Sequence, residues 1–396
     1  MKFNKKIAIV YDWIDKWGGV ERVLLMLHEM FPEAIFYTSY FDQQTASWAK
    51  DLNIKTSYLQ KFPNFIKKSR ILSFLFYPFI FESFNFSEYD LVISVTSSFA
   101  KSIITKPGTR HICYLLTPTR YFWSHKKDYL KNKLFNYLLS NYIDQVKKWD
   151  YVVAQRPDKI ISISETVKQR CKKYYQRESE VIYPGFDLEY WQKIKSEIRN
   201  PSFAKASPSG KPKGDKSEGK PKSETNSEFK IPNSKYFLVV SRLEPYKKID
   251  LVIKLFNNLK QSLIIVGEGS QENKLKQMAE KNITFLSRLS DVKLGDLYIN
   301  AQALIMPQEE DFGYVSLEAQ FFGCPVIAYK KGGATETVID GKTGIFFESQ
   351  KEINLRRAIE RFNRIEYNLR AKVKEFRTRN IKKFNKGRFI DSFLRL

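Results

Sequence analysis

The sequence predicts an α/β protein of two doubly wound, parallel-sheet lobes, and three observations carry that expectation. Short β-branched apolar runs alternate with amphipathic helical patterns, the series occurs twice, and a stretch nearly free of aliphatic residues separates the two series. A chain of 396 residues exceeds one ordinary core. Its apolar fraction of 43%, with 31 Phe and 22 Tyr, suffices for two.

The first series opens with the strand KIAIVYD and the helical pattern VERVLLMLHEMF, then runs through YDLVISVTS, HICYLL and KIISIS. The second consists of YFLVVS, the helical IDLVIKLFNNL, SLIIVGEG, ITFLSR, ALIMPQ and CPVIAY. These strand runs are apolar throughout rather than alternating, as expected of strands buried on both faces. Residues 1–190 are therefore assigned to a first lobe and 232–375 to a second. Between them, residues 196–231 are rich in Ser, Pro, Gly, Lys and Glu and cannot offset the entropy of ordering, so a disordered insertion is expected. Residues 376–396 read as a closing basic helix, with Ile381, Phe384, Phe389 and Phe393 on one stripe.

The net charge is +24, and residues 351–396 alone hold 15 basic against 5 acidic side chains. Such an excess favours phosphates, nucleic acid or anionic lipid. The apolar run ILSFLFYPFIF, residues 71–81, contains a proline and is too short to span a bilayer. It reads as a core helix or as an interfacial patch flanked by Lys67, Lys68 and Arg70. Cys113, Cys171 and Cys324 match no metal-ligand spacing and suit a reducing cytosol. The N-terminus reads as a first strand rather than a signal peptide, so a cytoplasmic location is expected. With no D-x-D motif and no Cys/His cluster, metal-independent chemistry is expected. GxGxxG is absent, which disfavours NAD.

Three segments carry candidate chemistry. In SRLEPYKKIDLVI, Arg242 ends a strand and Lys247 follows five residues later, where cations can reach a ligand beyond the strand's carboxyl end. In PQEEDFGYVSLEAQFF, a loop with Glu310 and Gly313 enters a helix containing Glu318. Free amides at a helix start favour a diphosphate, and carboxylates accept hydroxyl hydrogen bonds. In WGGVERVLLML, Gly18 and Gly19 precede a helix and would let a ligand approach the backbone closely.

Together and in this order, these segments resemble glycosyltransferase family 4, particularly its bacterial GDP-mannose-using branch. EEDFGYVSLEA resembles the family's Glu, seven residues, Glu signature, and SRLEPYKKIDL its phosphate-binding segment. WGGVERV, HICYLLTPTRYFW, KIISISETVKQRCKKYY and SEVIYPGFD follow the expected order of the first lobe. The resemblance implies the GT-B fold, two Rossmann-like lobes facing a central cleft. It implies retaining transfer of a hexose, mannose foremost, from a nucleotide diphosphate sugar such as GDP-mannose, with no further cofactor. Residues 67–81 and the basic C-terminus point to a lipid-linked or membrane-proximal glycan acceptor, and hence to cell-envelope polysaccharide or glycoconjugate synthesis. The enzyme would sit peripherally on the anionic inner face of the cell membrane. By residue, Arg242 and Lys247 would grip the donor diphosphate, and Glu310 would meet the transferred sugar beside the Phe312 and Gly313 amides. The Tyr314 and Val315 amides would cap the phosphates, Glu318 would hold the ribose, Gly18 and Gly19 would bring backbone to the phosphate, and Arg288 would lie in the base-binding loop. Leu116 stands where the family has a His contacting the sugar, with His111 and His125 as nearby substitutes. Alternatives are a nucleotide-sugar epimerase on the same fold, a non-catalytic carbohydrate-binding protein, and a nucleic-acid-binding protein. No recognition motif supports the last, so no specific nucleic acid is expected.

Overall fold

Every apolar run read above as a strand is a strand in the computed structural model, which describes residues 5–68, 73, 76–123, 133–199 and 235–396. The first sheet comprises β1 (Ile7–Tyr11), β2 (Ile35–Thr38), β3 (Ile54–Thr56), β4 (Leu91–Thr96), β5 (Arg110–Leu115), β6 (Lys159–Ser162) and β7 (Glu180–Val181). Its order is β3-β2-β1-β4-β5-β6-β7. The second comprises β8 (Phe237–Val240), β9 (Leu263–Val266), β10 (Ile283–Leu286), β11 (Leu304–Met306), β12 (Val326–Tyr329) and β13 (Gly344–Phe347), in the order β10-β9-β8-β11-β12-β13. All pairings between these strands are parallel. In each sheet the chain winds outward one way, returns, and winds out the other way. The strand order thus reverses between β1 and β4 and again between β8 and β11. Loops from the carboxyl ends of such neighbouring strands diverge and leave a crevice, which is where ligands bind in open α/β sheets.

The chain forms two compact units, residues 1–185 with 386–396, and residues 186–385. The first unit is built around Ala8, Val10, Val92, Phe86, Phe99 and Ile143. In the second, Val239, Ile265 and Ile305 of the sheet meet Phe256 and Phe362 from covering helices. Side chains of this size contribute about 1.5–3 kcal/mol each when fully buried.

Several boundaries differ from the sequence reading. The helix Leu188–Arg199 belongs to the second unit, because Trp191 stacks on Phe186 and meets the Phe322 ring edge-on. Residues 196–199, expected in the insertion, complete that helix, and the rest of the expected insertion lies outside the described residues. The expected closing helix 376–396 is divided. Its first part continues the long helix Glu352–Lys382, whereas Lys386–Leu394 forms a separate helix in the first unit. Ile381 and Phe384 are accordingly buried in one unit, while Phe389 and Phe393 pack on Tyr114 in the other. Gly185 permits that packing, since a Cβ there would lie 2.8 Å from the Lys386 Cα.

Within residues 71–81, Tyr77–Glu82 begins a helix that buries Tyr77, Ile80 and Phe81 and exposes Phe79, a core arrangement. Positions 70–72, 74 and 75 lie outside the described residues. Among the described residues no helix is long and apolar enough to cross a membrane. All three cysteines are free and buried.

Candidate active site

The reversal between β8 and β11 assembles the most chemically distinctive site of the second unit. β8 delivers Arg242, and a single turn, Pro245–Lys247, follows before the helix Ile249–Leu259. The loop is fixed from one side by the GEG that ends SLIIVGEG. Leu243 N–H donates to the Glu268 carbonyl (2.8 Å), and Gln271 N–H donates to the Leu243 carbonyl (2.9 Å). Gly267 has φ +148°, and a Cβ there would stand 1.9 Å from the Ser241 carbonyl oxygen, so the approach requires glycine.

β11 delivers the facing loop. Lys247, 6% exposed overall, reaches it with its ammonium 2.5 Å from Glu310 Oε1. Gln308 Nε2 donates to the same oxygen at 2.7 Å. Arg242 donates to the Tyr246 hydroxyl at 2.7 Å and lies over that ring, while Lys247 lies over it as well. Gly313, with φ +91°, starts the helix Tyr314–Phe322, so the amides of Tyr314 and Val315 stand in the first turn, where no intrahelical acceptor exists. The Ser316 hydroxyl anchors this turn, lying within hydrogen-bond distance of the Gly313 carbonyl (2.8 Å) and of Thr337 Oγ1 (2.7 Å). Phe312 is buried against Tyr314 and Phe384. Behind the loop, Gly333 N–H donates to the Glu310 carbonyl (2.7 Å), and a Cβ on Gly333 would lie 2.4 Å from the Phe312 Cα. Glu318, 5% exposed, accepts from the Tyr298 hydroxyl at 3.1 Å. Two cations, a helix start and two carboxylates at the ends of adjacent parallel strands can bind an anion and position hydroxyl groups beside it.

The remaining expected residues are placed as follows. Arg288 lies on the loop after β10 with φ +52°, exposed, its Nε 2.7 Å from Glu268 of the loop after β9. Gly18 and Gly19 belong to the first unit, where Gly18 precedes the helix Gly19–Met30 in an extended conformation. Leu116 is buried immediately after β5. His111 does not substitute for the family histidine. It is fully enclosed within β5, its Nε2 is 2.8 Å from Ser94 Oγ, and burial pushes its pKa down to about 3. His125 lies outside the described residues.

Sequence reasoning passed over Gln308, Tyr246 and Tyr298, whose side chains hold the others in place, and the Gly332–Gly333 turn behind the loop; only that turn had a signal, the adjacent glycines of KKGGATE. In the first unit it also passed over Asp12, whose buried carboxylate accepts from Thr96 Oγ1 and from the amides of Ser97, Phe99 and Ala100, tying β1 to the loop after β4. Equally unannounced is the buried pair Lys101–Asp150 (2.7 Å), whose carboxylate also receives the Trp123 indole and the Tyr175 hydroxyl. Among the described residues no group of His, Cys, Asp and Glu is arranged to hold a metal ion.

Residues 17–190 match the family described as Glycosyltransferase Family 4, and residues 222–379 match the family described as Glycosyl transferases group 1. The chain belongs to these glycosyltransferases. It is 31% identical over 160 residues to the human alpha-1,3/1,6-mannosyltransferase ALG2, covering 34% of this chain and 38% of that protein. Over 123 residues it is 34% identical to the GDP-mannose-dependent alpha-(1-6)-phosphatidylinositol monomannoside mannosyltransferase of Mycolicibacterium smegmatis, covering 26% of this chain and 32% of that protein. The matches thus span about a third of these relatives' lengths. The crystal structure of Anabaena HepE in complex with UDP is similar over 98% of both chains, with a TM-score of 0.66 and 16% identity. The glycosyltransferase has the GT-B fold, one parallel-sheet lobe per unit.

Proposed function

We propose that this glycosyltransferase moves mannose, with retention and without a metal ion, from GDP-mannose to a lipid-linked or membrane-proximal glycan acceptor. The observation that carries the donor reading is the buried Lys247 ammonium, held with Glu310 where the sheet order reverses. Without a ligand Glu310 compensates this buried ammonium, and a leaving nucleoside diphosphate would offer it a second anion on which charge builds up as the bond breaks. In this reading Arg242 and Lys247 take the charge of the leaving diphosphate, the work a metal does in other enzymes. The amides of Tyr314 and Val315 cap its oxygens, and those of Phe312 and Gly313 lie beside the sugar. Glu310 orients the sugar and Glu318 the ribose. Roles for Arg288 at the base, and for Gly18 and Gly19 at the phosphate, rest on the family resemblance.

Retention is compatible with two mechanisms, and the one favoured here is attack from the face the diphosphate leaves, with a phosphate oxygen taking the acceptor proton. The competing mechanism makes Glu310 a covalent nucleophile. An oxygen engaged by both Lys247 and Gln308 is a weak one, which supports the first mechanism. Mannose as the sugar is supported by the mannosyltransferases among the relatives. Location at the cytoplasmic membrane face is supported by the cation-rich C-terminal helices.

The test is turnover against a panel of nucleotide sugars, alongside calorimetry with the corresponding nucleoside diphosphates. GDP-mannose is expected to turn over fastest, and GDP binding should be lost on reversing Arg242 and Lys247 to Glu. No heat with any of these nucleotides, unchanged by the reversal, would sink the donor reading. Release of an altered sugar without an acceptor would convert it to an epimerase.

A further inference from the structure

The helix that begins at the candidate active site ends among four cations. Nine residues at 1.5 Å each put about 13 Å between the start of Tyr314–Phe322 and that end. Lys195 and Arg199 come from the helix Leu188–Arg199, and Lys374 and Arg377 from the helix Glu352–Lys382. Arg377 donates to the Phe321 carbonyl at 2.7 Å, and the Lys195 ammonium is 5.3 Å from the centre of the Phe321 ring. Gly323, with φ +85°, ends the helix. A Cβ there would lie 3.8 Å from Arg377 Nη1 and 3.9 Å from Lys374 Cγ. Among the described residues none of the four cations pairs with a carboxylate. Gln192, Lys195, Ser196 and Arg199 line a pocket of about 320 Å³ beside them.

Helix capping accounts for one of the four. The carbonyl end of a helix carries roughly half a negative charge, and Arg377 already donates to it. Three further cations crowd the same place. Burial, and then Arg377, Arg199 and Lys374, hold the Lys195 pKa down at about 8, and burial with Arg199 lowers that of Arg377. Mutual repulsion of this kind opposes folding, and a bound anion removes it.

We propose that Lys195, Arg199, Lys374 and Arg377, with Ser196 and Gln192 as neutral hydrogen-bonding groups, form a second anion site that takes a phosphoryl group, separate from the candidate active site. The phosphoryl group belongs either to a lipid headgroup or to a free phosphate. The site needs no nucleotide sugar, so it stands or falls independently of the donor reading.

The experiment uses the full chain carrying Arg242→Ala and Lys247→Ala, which silences the candidate active site. Inorganic pyrophosphate is titrated calorimetrically at low ionic strength, and flotation is measured with phosphatidylglycerol and phosphatidylcholine vesicles. Each measurement is repeated after adding Lys195→Ala, Arg199→Ala and Lys374→Ala, keeping Arg377 as the helix cap. A control adds Lys254→Ala, Lys260→Ala and Lys276→Ala instead, removing the same charge elsewhere on the unit. The site variant is expected to weaken binding at least tenfold and the control less than threefold. Its thermal midpoint should equal or exceed the parent's, because a repulsion has been relieved. Loss of vesicle capture identifies a headgroup as the source, and loss of pyrophosphate binding alone identifies a free phosphate. Equal binding by parent and site variant, absence of binding in both, or equal losses in site variant and control overturns the proposal.

Discussion

Replacing Lys247 by Met and Glu310 by Gln, singly and together, separates what this ion pair does for the fold from what it does for turnover. The side chains are 8% and 18% exposed and meet at 2.5 Å. Removing one partner of a buried pair leaves a charge uncompensated, at a cost of about 3–5 kcal/mol when burial is complete. The residual exposure of Glu310 and its bond from Gln308 reduce this to about 2 kcal/mol for Lys247→Met. For a unit of roughly 200 residues that lowers the melting midpoint by about 4–8 °C. The double variant has no charge left to strand, so its loss should fall short of the summed single losses by at least about 1 kcal/mol. Turnover should behave differently. Each single variant is expected to lose about 10²–10³-fold in kcat, and the double variant should recover none of it, because the diphosphate still lacks its cation. The assays are a double-mutant cycle by thermal denaturation and steady-state turnover on the same four proteins. Additive stability losses would refute the claim that the two groups compensate each other. Turnover within threefold of the parent in Lys247→Met would refute the catalytic role.

Three further outcomes follow from the geometry. Lys101→Met should destabilise the first unit by about 3–5 kcal/mol, since Asp150 would keep its buried charge while losing its cation; denaturant unfolding measures this, and a loss below about 1 kcal/mol would contradict it. Gly333→Ala should cut turnover at least tenfold in protein that still folds, because the new methyl meets the Phe312 backbone and moves the Glu310 loop; unchanged kinetics would show that the loop tolerates the shift. His111 titrates near 3 when folded against about 6.5 when unfolded, so between those values the unfolded chain binds the extra proton and stability falls as pH falls. His111→Asn should therefore show a shallower loss of unfolding free energy from pH 6.5 to pH 4 than the parent, and parallel curves would argue against it.

Much of the site was legible because its chemistry is written in short contiguous stretches. Arg242 and Lys247 follow a strand by one loop, and Glu310, Gly313 and Glu318 share one loop and helix. The short strands Ile35–Thr38, Ile54–Thr56, Glu180–Val181 and Gly344–Phe347 were not legible. Length is not the reason, since Leu304–Met306 has three residues and was legible; three of the four are edge strands, and two of these, Ile54–Thr56 and Glu180–Val181, are partly exposed and carry Lys55 and Glu180 in place of an unbroken apolar run. The closing stripe was misread for a related reason. Periodicity reports that Ile381, Phe384, Phe389 and Phe393 are apolar at helical intervals, but not which body each packs against.

The sequence by itself determined the twofold α/β plan, the family and the stretches in which ligand-binding groups lie, because strand and helix periods and motif spacings are local properties. Only the tertiary structure decided that Lys247 meets Glu310 across 63 positions of sequence, and that Gln308 and Tyr298 hold the two carboxylates. It alone gathered the cations of two distant helices around one helix end. Those are contacts between elements, set by the reversal of strand order and by side-chain packing, and neither leaves a period in the chain.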